Sequence, residues 1–231
     1  MIPQVRYSET VPNKDIMTTK ARTVKKRNYD STLRRERAEA TRASVLDSAL
    51  RSFLDRGYAR TTVTAIASEA GVSPETIYKS FGNKRSLVLA LRDRALAGSG
   101  PVHAEERSDT AKHSNMDPRR IIATWAQLST EVAPRLTPIL LVVRAAAAAD
   151  TELAALDAEL DAARLARMTD NARALDEHGH LRPGITVDRA ADTLYACTMP
   201  ELYDTLVNER GWTNDDYTLF IERTLTAALL T

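Results

Sequence analysis

The sequence predicts an all-α protein, on three observations. Its 231 residues include 35 Ala and 25 Leu against 13 Val and 9 Ile, so strong helix formers dominate and the β-branched residues that favour strands are scarce. From about residue 35 onward, apolar residues recur three and four positions apart, the period of an amphipathic helix. Ser, Thr, Asp or Pro opens most of these runs and glycine closes several of them, which is the punctuation of helix termini.

Taken in order, residues 1–33 show no apolar period and contain Pro3 and Pro12; they read as a flexible basic arm, with Met17 a second candidate start. The first helix carries Val45, Leu46, Ala49, Leu50, Phe53 and Leu54 as one stripe and stops at Gly57. Thr62 caps a second helix holding Ile66, Ala67 and Ala70, which Gly71 ends. Ser73 followed by Pro74 opens a third, short helix that runs through Phe81. After the turn at Gly82 and Asn83, a fourth begins near Lys84 with Leu87, Leu91 and Ala95 inward. Segment 98–116 is polar, carries Gly98, Gly100 and Pro101, and reads as a linker that is partly helical or mobile. A longer helix opens after Asp117 and Pro118 through Ile121, Ile122, Trp125 and Leu128, and Pro134 and Pro138 are expected to break or kink it. Another runs from a cap at Asp150 to His178. One more starts after Thr186 and keeps its register past Pro200, as a kinked helix or two abutting ones. The last starts at Thr213.

Composition bounds the function. A single cysteine excludes an intramolecular disulfide and any Cys-based zinc site. The N-terminal MIPQVRYSETVPNKD lacks the apolar core of a secretory signal, and no stretch approaches the roughly 20 apolar residues of a membrane span, so the expected location is cytoplasmic. There is no phosphate-binding glycine loop, no G-x-S-x-G and no paired-carboxylate metal motif; the four histidines sit at 103, 113, 178 and 180, without catalytic spacing. The expectation is a non-enzyme without cofactor or metal. The formal net charge of +1 hides an asymmetry: residues 1–96 hold 19 Lys+Arg against 10 Asp+Glu, and residues 97–231 hold 13 against 21. A basic half suits a polyanion, although a basic run such as 20–42 also serves as a solvated tail.

Segment Thr62–Phe81 has the grammar of a helix-turn-helix: two short helices about a turn containing Gly71, a small Ala67 at the close approach, and Ile66, Val72 and Ile77 between them. Such geometry exposes the second helix to a DNA major groove; the same pattern also fits a plain αα-hairpin. Around it, the run RAEATRASVLDSALRSFLDRGYARTTVTAIASEAGVSPETIYKSFGNKRSLVLALRDRAL resembles the N-terminal domain of the tetracycline-repressor (TetR) family of transcriptional regulators over about residues 34–96. The motifs are the first helix ending in RGY, the T-x-T-x-I-A second helix, GVSPETIYKSF, and the NK-R-S-L start of the fourth helix.

The resemblance implies an N-terminal three-helix helix-turn-helix DNA-binding domain, 34–96, and a C-terminal helical ligand-binding and dimerisation domain, 97–231. It implies that the third helix lies in the groove with Ser73, Pro74, Glu75, Thr76, Lys79 and Ser80 on or near the reading side. Thr76 is suited to a phosphate or a thymine methyl, Lys79 to guanine or phosphate, and Glu75 to cytosine N4 or simply to the helix dipole. Tyr78 looks like a phosphate-contacting tyrosine, or else a packing residue with a wet tip. Lys84 stands where a helix N-terminus and a cation together suit a phosphate. Thr62 is placed for a phosphate and Thr64 for a base edge. The implied partners are double-stranded DNA with a palindromic operator, a small-molecule effector and a second copy of the chain, paired through about 187–208 and 213–230. The implied activity is that of a repressor released by ligand; an activator or a helical adaptor on the same fold are the alternatives. Candidate pocket residues are Trp125, Leu128, Leu140, Arg144, Arg164, Met168, Asn171 and Tyr195. Arg144 interrupts an apolar run, so it needs an anionic partner, either a ligand or a helix carboxylate such as Glu131.

Overall fold

A computed structural model describes residues 15–98, 102–114 and 117–231, with side chains from residue 32 onward. Among them lie ten α-helices and no strand: α1 (Asp15–Arg56), α2 (Val63–Ala70), α3 (Pro74–Phe81), α4 (Lys84–Ala97), α5 (Ala104–Lys112), α6 (Pro118–Ala147), α7 (Thr151–Glu177), α8 (Val187–Cys197), α9 (Pro200–Tyr203) and α10 (Asn214–Leu229). No helix of the described residues is long and apolar enough to cross a membrane.

The chain parts into two units, residues 1–44 and 45–231. In the first, α1 begins at Asp15, well before the apolar stripe, so residues 15–33 extend the helix where an arm was expected. The reason is the absence of any breaker: Pro12 precedes the helix, and neither Gly nor Pro occurs again until Gly57. A solvated helix needs no apolar period to persist. Local pairs line its described part, with Arg35 3.2 Å from Glu39 and the Thr41 hydroxyl donating to the Arg37 carbonyl at 2.8 Å. The first 14 residues, the basic side chains 20–27, and positions 99–101 and 115–116 of the linker lie outside what is described.

The second unit is built around two buried clusters. One joins the end of α1 (Val45, Ala49, Phe53), α2 (Ile66, Ala67), α3 (Ile77) and α4 (Leu87, Val88, Leu91) to Ile139 and Val143 of α6 and Leu153, Leu156 and Leu160 of α7. The other joins the first half of α6 (Ile121, Ile122, Trp125) to Ala172 and Leu175 of α7, Leu194 of α8, Tyr203, and Tyr217, Ile221 and Leu225 of α10. The two long helices α6 and α7 therefore run through both. Leu54, placed in the inward stripe by its spacing, is 47% exposed instead.

Pro134 and Pro138 lie inside α6, which continues through them to Ala147. Each removes one backbone donor and its ring crowds the carbonyl four residues earlier, yet the helix faces that carry Leu128, Ile139 and Val143 stay buried, so packing holds the helix together. Past Pro200 the chain forms the single turn α9 and then a wider i→i+5 turn over Asp204–Glu209, in which the Arg210 N–H donates to the Thr205 carbonyl at 2.9 Å. The last helix opens with a reciprocal cap: Thr213 accepts from the Asp216 N–H at 3.1 Å and the Asp216 carboxylate accepts from the Thr213 N–H at 3.2 Å. Part of the polar linker is the helix α5.

Candidate functional site

The turn between α2 and α3 is built from local chemistry. Thr62 accepts from the Ala65 N–H at 3.1 Å to start α2. Gly71, at φ +69°, ends it in the left-handed region that glycine occupies without steric cost, and the Val72 N–H returns to the Ala67 carbonyl at 3.0 Å. Ser73 then accepts from the Thr76 N–H at 3.3 Å with Pro74 in the first helical position. Ile77 is fully buried and anchors α3; its neighbour Tyr78 is 53% exposed, and Glu75, Lys79 and Ser80 are exposed beside it. Pro74 and Thr76 are half-buried, Ser73 and Thr64 exposed. Glu75 has its carboxylate held below the ordinary glutamate value by hydrogen bonds from its own backbone N–H and from Ser73, so it already serves the helix start. Behind the turn, Glu69 accepts from Arg51 at 2.8 Å and from the Ser52 hydroxyl at 3.0 Å, tying α2 to α1.

Lys84 has a second task that its spacing did not reveal. Its Nζ donates to the Tyr58 and Thr61 carbonyls, both at 3.0 Å, and sits 4.0 Å from the centre of the Tyr58 ring. Burial lowers its pKa, against the opposing pull of Asp150 and Glu152. Two of three ammonium donors thus clamp the loop between α1 and α2. The Tyr58 hydroxyl, 26 residues away in sequence, is pushed up to about 12 by burial first and then by Glu152 and Asp150.

Between the two buried clusters lies a cavity of about 180 Å³. Of the eight residues proposed from sequence, Trp125, Leu128, Leu140, Arg164, Met168 and Asn171 line it. The α6 wall runs Trp125, Leu128, Val132, Leu136 and Leu140, and the α7 wall Leu160, Arg164, Arg167, Met168 and Asn171, both at three- and four-residue spacing. Val132, Leu136, Leu160 and Arg167 were therefore within reach of the same periodicity. Tyr203 and Tyr217, which close the far side, come from α9 and α10, and no local signal marks them as wall rather than core. Arg92 and Leu96 bring α4 to the cavity edge.

Two candidates fall outside the lining. Arg144 is occupied by protein carboxylates: 3.5 Å from Asp157, 3.1 Å from Asp161, and hydrogen-bonded to Glu201. The anionic partner is thus in the protein, as three residues from α7 and α9 rather than Glu131, which instead takes a two-point ion pair from Arg107 at 2.8 and 2.8 Å. Tyr195 stands behind the wall. Its ring lies 3.8 Å under the Arg164 guanidinium and its carbonyl accepts from Arg164 at 3.1 Å, so it orients a lining residue.

Residues 45–91 match the family of bacterial regulatory proteins described as the tetR family. Over 59 residues the chain is 49% identical to the HTH-type transcriptional regulator TtgR of Pseudomonas putida, covering 26% of this chain and 28% of that protein. Among solved structures, NalD, the secondary repressor of the MexAB-OprM multidrug efflux pump in Pseudomonas aeruginosa, superposes with a TM-score of 0.63 at 22% identity, covering 84% of this chain and 98% of that one. The SmeT–triclosan complex superposes with a TM-score of 0.66 at 23% identity, covering 83% and 92%. The sequence likeness is concentrated in the helix-turn-helix, and the shared fold extends over the long helices. Over residues 45–91, then, the chain carries a helix-turn-helix domain of the tetR family of bacterial regulatory proteins.

Proposed function

We propose that the protein is a sequence-specific, homodimeric transcriptional repressor that leaves its operator when a small ligand enters the cavity. The observation that carries this is α3: one buried side, Ile77, fixes it, and its other side presents Tyr78, Lys79, Ser80 and Glu75 to solvent. In this reading residues 34–96 bind DNA and residues 97–231 hold the ligand and the dimer interface. Thr76 and Lys79 read base edges or phosphate, Tyr78 and Thr62 contact phosphate, Thr64 and the half-buried Pro74 flank the groove, and Ser73 and Glu75 set the start of the reading helix. Lys84 keeps its loop in place and offers its remaining N–H to a phosphate.

Release follows from where α4 sits. Its buried side, Leu87, Val88 and Leu91, shares a cluster with Ile77 of α3, and its other end reaches the cavity through Arg92 and Leu96. A ligand that favours one position of α4 over another shifts the spacing of the two reading helices, by as much as its affinity differs between those states. That SmeT, which shares this fold, forms a complex with triclosan supports a small-molecule ligand for this chain. For the dimer, α10 leaves Leu219 42% exposed beside Arg223, whereas α8 turns Asp188, Arg189 and Asp192 outward, so α10 supplies the apolar part of the contact.

Fluorescence anisotropy with DNA flanking the gene, excess nonspecific competitor and two salt concentrations tests the reading. Competitor-resistant binding is expected. Lys79→Ala weakens it about tenfold or more and lowers the salt dependence by about one ion. Binding that competitor abolishes, and that Tyr78→Ala and Lys79→Ala leave unchanged, would remove α3 from the reading role and favour the adaptor.

A further inference from the structure

We infer that the cavity takes a neutral, ring-containing molecule with one hydrogen-bond donor, and that Asn171 is the residue that selects for the donor. This rests on the cavity being the effector site proposed above. The walls explain the ring. Trp125, Tyr203 and Tyr217 all line the space, yet their polar tips are used elsewhere: Trp125 Nε1 donates to the Ser108 carbonyl at 3.5 Å, the Tyr203 hydroxyl to Asn214 Oδ1 at 2.9 Å, and the Tyr217 hydroxyl to the Cys197 carbonyl at 3.4 Å. What these residues leave for the cavity is ring surface, which stacks with or edges onto other rings. A dry apolar cavity of about 150 Å³ holds a benzene ring. The 180 Å³ here suits one ring or two fused ones.

The charged residues explain the neutrality. Arg164 is paired with Asp161 at 3.1 Å and stacked over Tyr195; Arg167 is paired with Asp109 at 3.1 Å and donates to the Glu105 carbonyl at 2.6 Å; Arg92 lies 3.2 Å from Asp93. Each cation in the lining has its counter-charge in the protein. The Glu105 carboxylate, the one acid of the lining, is exposed to solvent and screened.

Asn171 is the exception among these satisfied groups. It is only 3% exposed, it lines the cavity, and its Oδ1 has no hydrogen-bond partner. A buried acceptor left unpaired is unfavourable, and a ligand O–H or N–H would relieve it. The torsion that turns an Asn carboxamide is soft, so the oxygen can swing to meet that donor without moving α7. A ligand lacking the donor forfeits this gain while still displacing the same space.

Isothermal titration calorimetry of the full chain with matched probes decides the matter: 2-naphthol, its near-isostere 2-fluoronaphthalene, 2-naphthoate and trimethyl(2-naphthyl)ammonium. The expected order is 2-naphthol tightest, about tenfold over 2-fluoronaphthalene, with both ions weaker still. Asn171→Leu should bring 2-naphthol down to the level of the fluoro compound. The probe series on the unaltered chain stands by itself should that variant not fold. Asn171→Thr, which keeps an acceptor, should retain part of the preference. Equal binding of the two neutral probes, a preference that survives Asn171→Leu, or a tighter ion overturns the role of Asn171 while leaving the cavity a ligand site. Binding of none of the four overturns the effector reading with it.

Discussion

The reading end and the cavity end of this molecule are stabilised in different ways. In the helix-turn-helix, α2 and α3 are eight residues each, too short to persist alone. Each is closed by a capping hydroxyl at one end and a glycine at the other, and each contributes residues that are wholly buried, Ile66, Ala67 and Ile77, to one hydrophobic cluster. At the cavity end, α6 and α7 are 30 and 27 residues long, with space left between them. There, beside local caps such as Thr213, long-range ionic ties join the helices: the Arg107–Glu131 pair, and the Arg144 group with its three carboxylates. A segment that must fit DNA gains from having one packed arrangement. A segment that must admit a ligand has to keep room, and distant polar ties fix its walls without filling them.

The largest effect that would test this contrast is at adjacent residues of α3. Ile77→Ala should cost about 2–5 kcal/mol in chemical denaturation, because no neighbour can close on the gap. Tyr78→Ala should stay within about 0.5 kcal/mol of the parent and lose DNA affinity instead. Equal destabilisation by both would mean that Tyr78 is part of the packing.

Two glycines sharpen the comparison at intermediate size. Gly71 and Gly98 both hold positive φ, +69° and +76°. A Cβ at Gly71 meets nothing within 4 Å, so Gly71→Ala should cost only the left-handed strain, about 1–2 kcal/mol. A Cβ at Gly98 would lie 2.5 Å from Glu131 Oε1 and 2.8 Å from an Arg107 guanidinium nitrogen, inside the ion pair. Gly98 also sits at ψ −169°, outside the left-handed well and in a region essentially restricted to glycine, so Gly98→Ala should cost more than Gly71→Ala on both counts, measured by the shift of the urea midpoint, and Glu131→Gln should remove the part owed to the ion pair. A difference that Glu131→Gln leaves unchanged would assign it to the backbone alone.

A further effect is alkaline. Tyr58 has a folded-state pKa of about 12, above the ordinary value of 10, so its contribution is complete below pH 10 and is lost as pH rises toward 12. Tyr217, more deeply placed, is raised further by burial. Thermal melts should fall in this window, and Tyr58→Phe should flatten part of the fall. An unchanged slope in that variant would assign the loss to the cavity end alone.

What could be read in advance divides along the same line. Thr62, Gly71, Ser73, Pro74, Gly82, Asn83, Asp150, Thr186 and Thr213 all act where their spacing places them, as caps or stops. Capping is a bond between residues two to four apart, so sequence contains it in full. Of the eight candidates that the family resemblance placed in a pocket, six line the cavity. The backward extension of α1 to Asp15 leaves no apolar period in residues 15–33 by which to read it.

Tertiary structure alone decided the rest. Arg144 announced a need for an anion, but its carboxylates stand up to 57 residues away, and only the approach of α7 and α9 chooses them over Glu131. Lys84 announced a cation at a helix start, but the carbonyls that accept hydrogen bonds from it come from a loop more than 20 residues earlier. Asn171 stood among the pocket candidates, but that its oxygen is buried without a partner is visible only in the packed structure. Sequence determined the elements and their ends because those rest on bonds a few residues long; which polar groups are satisfied, and what space is left, depends on the packing of helices far apart in the chain.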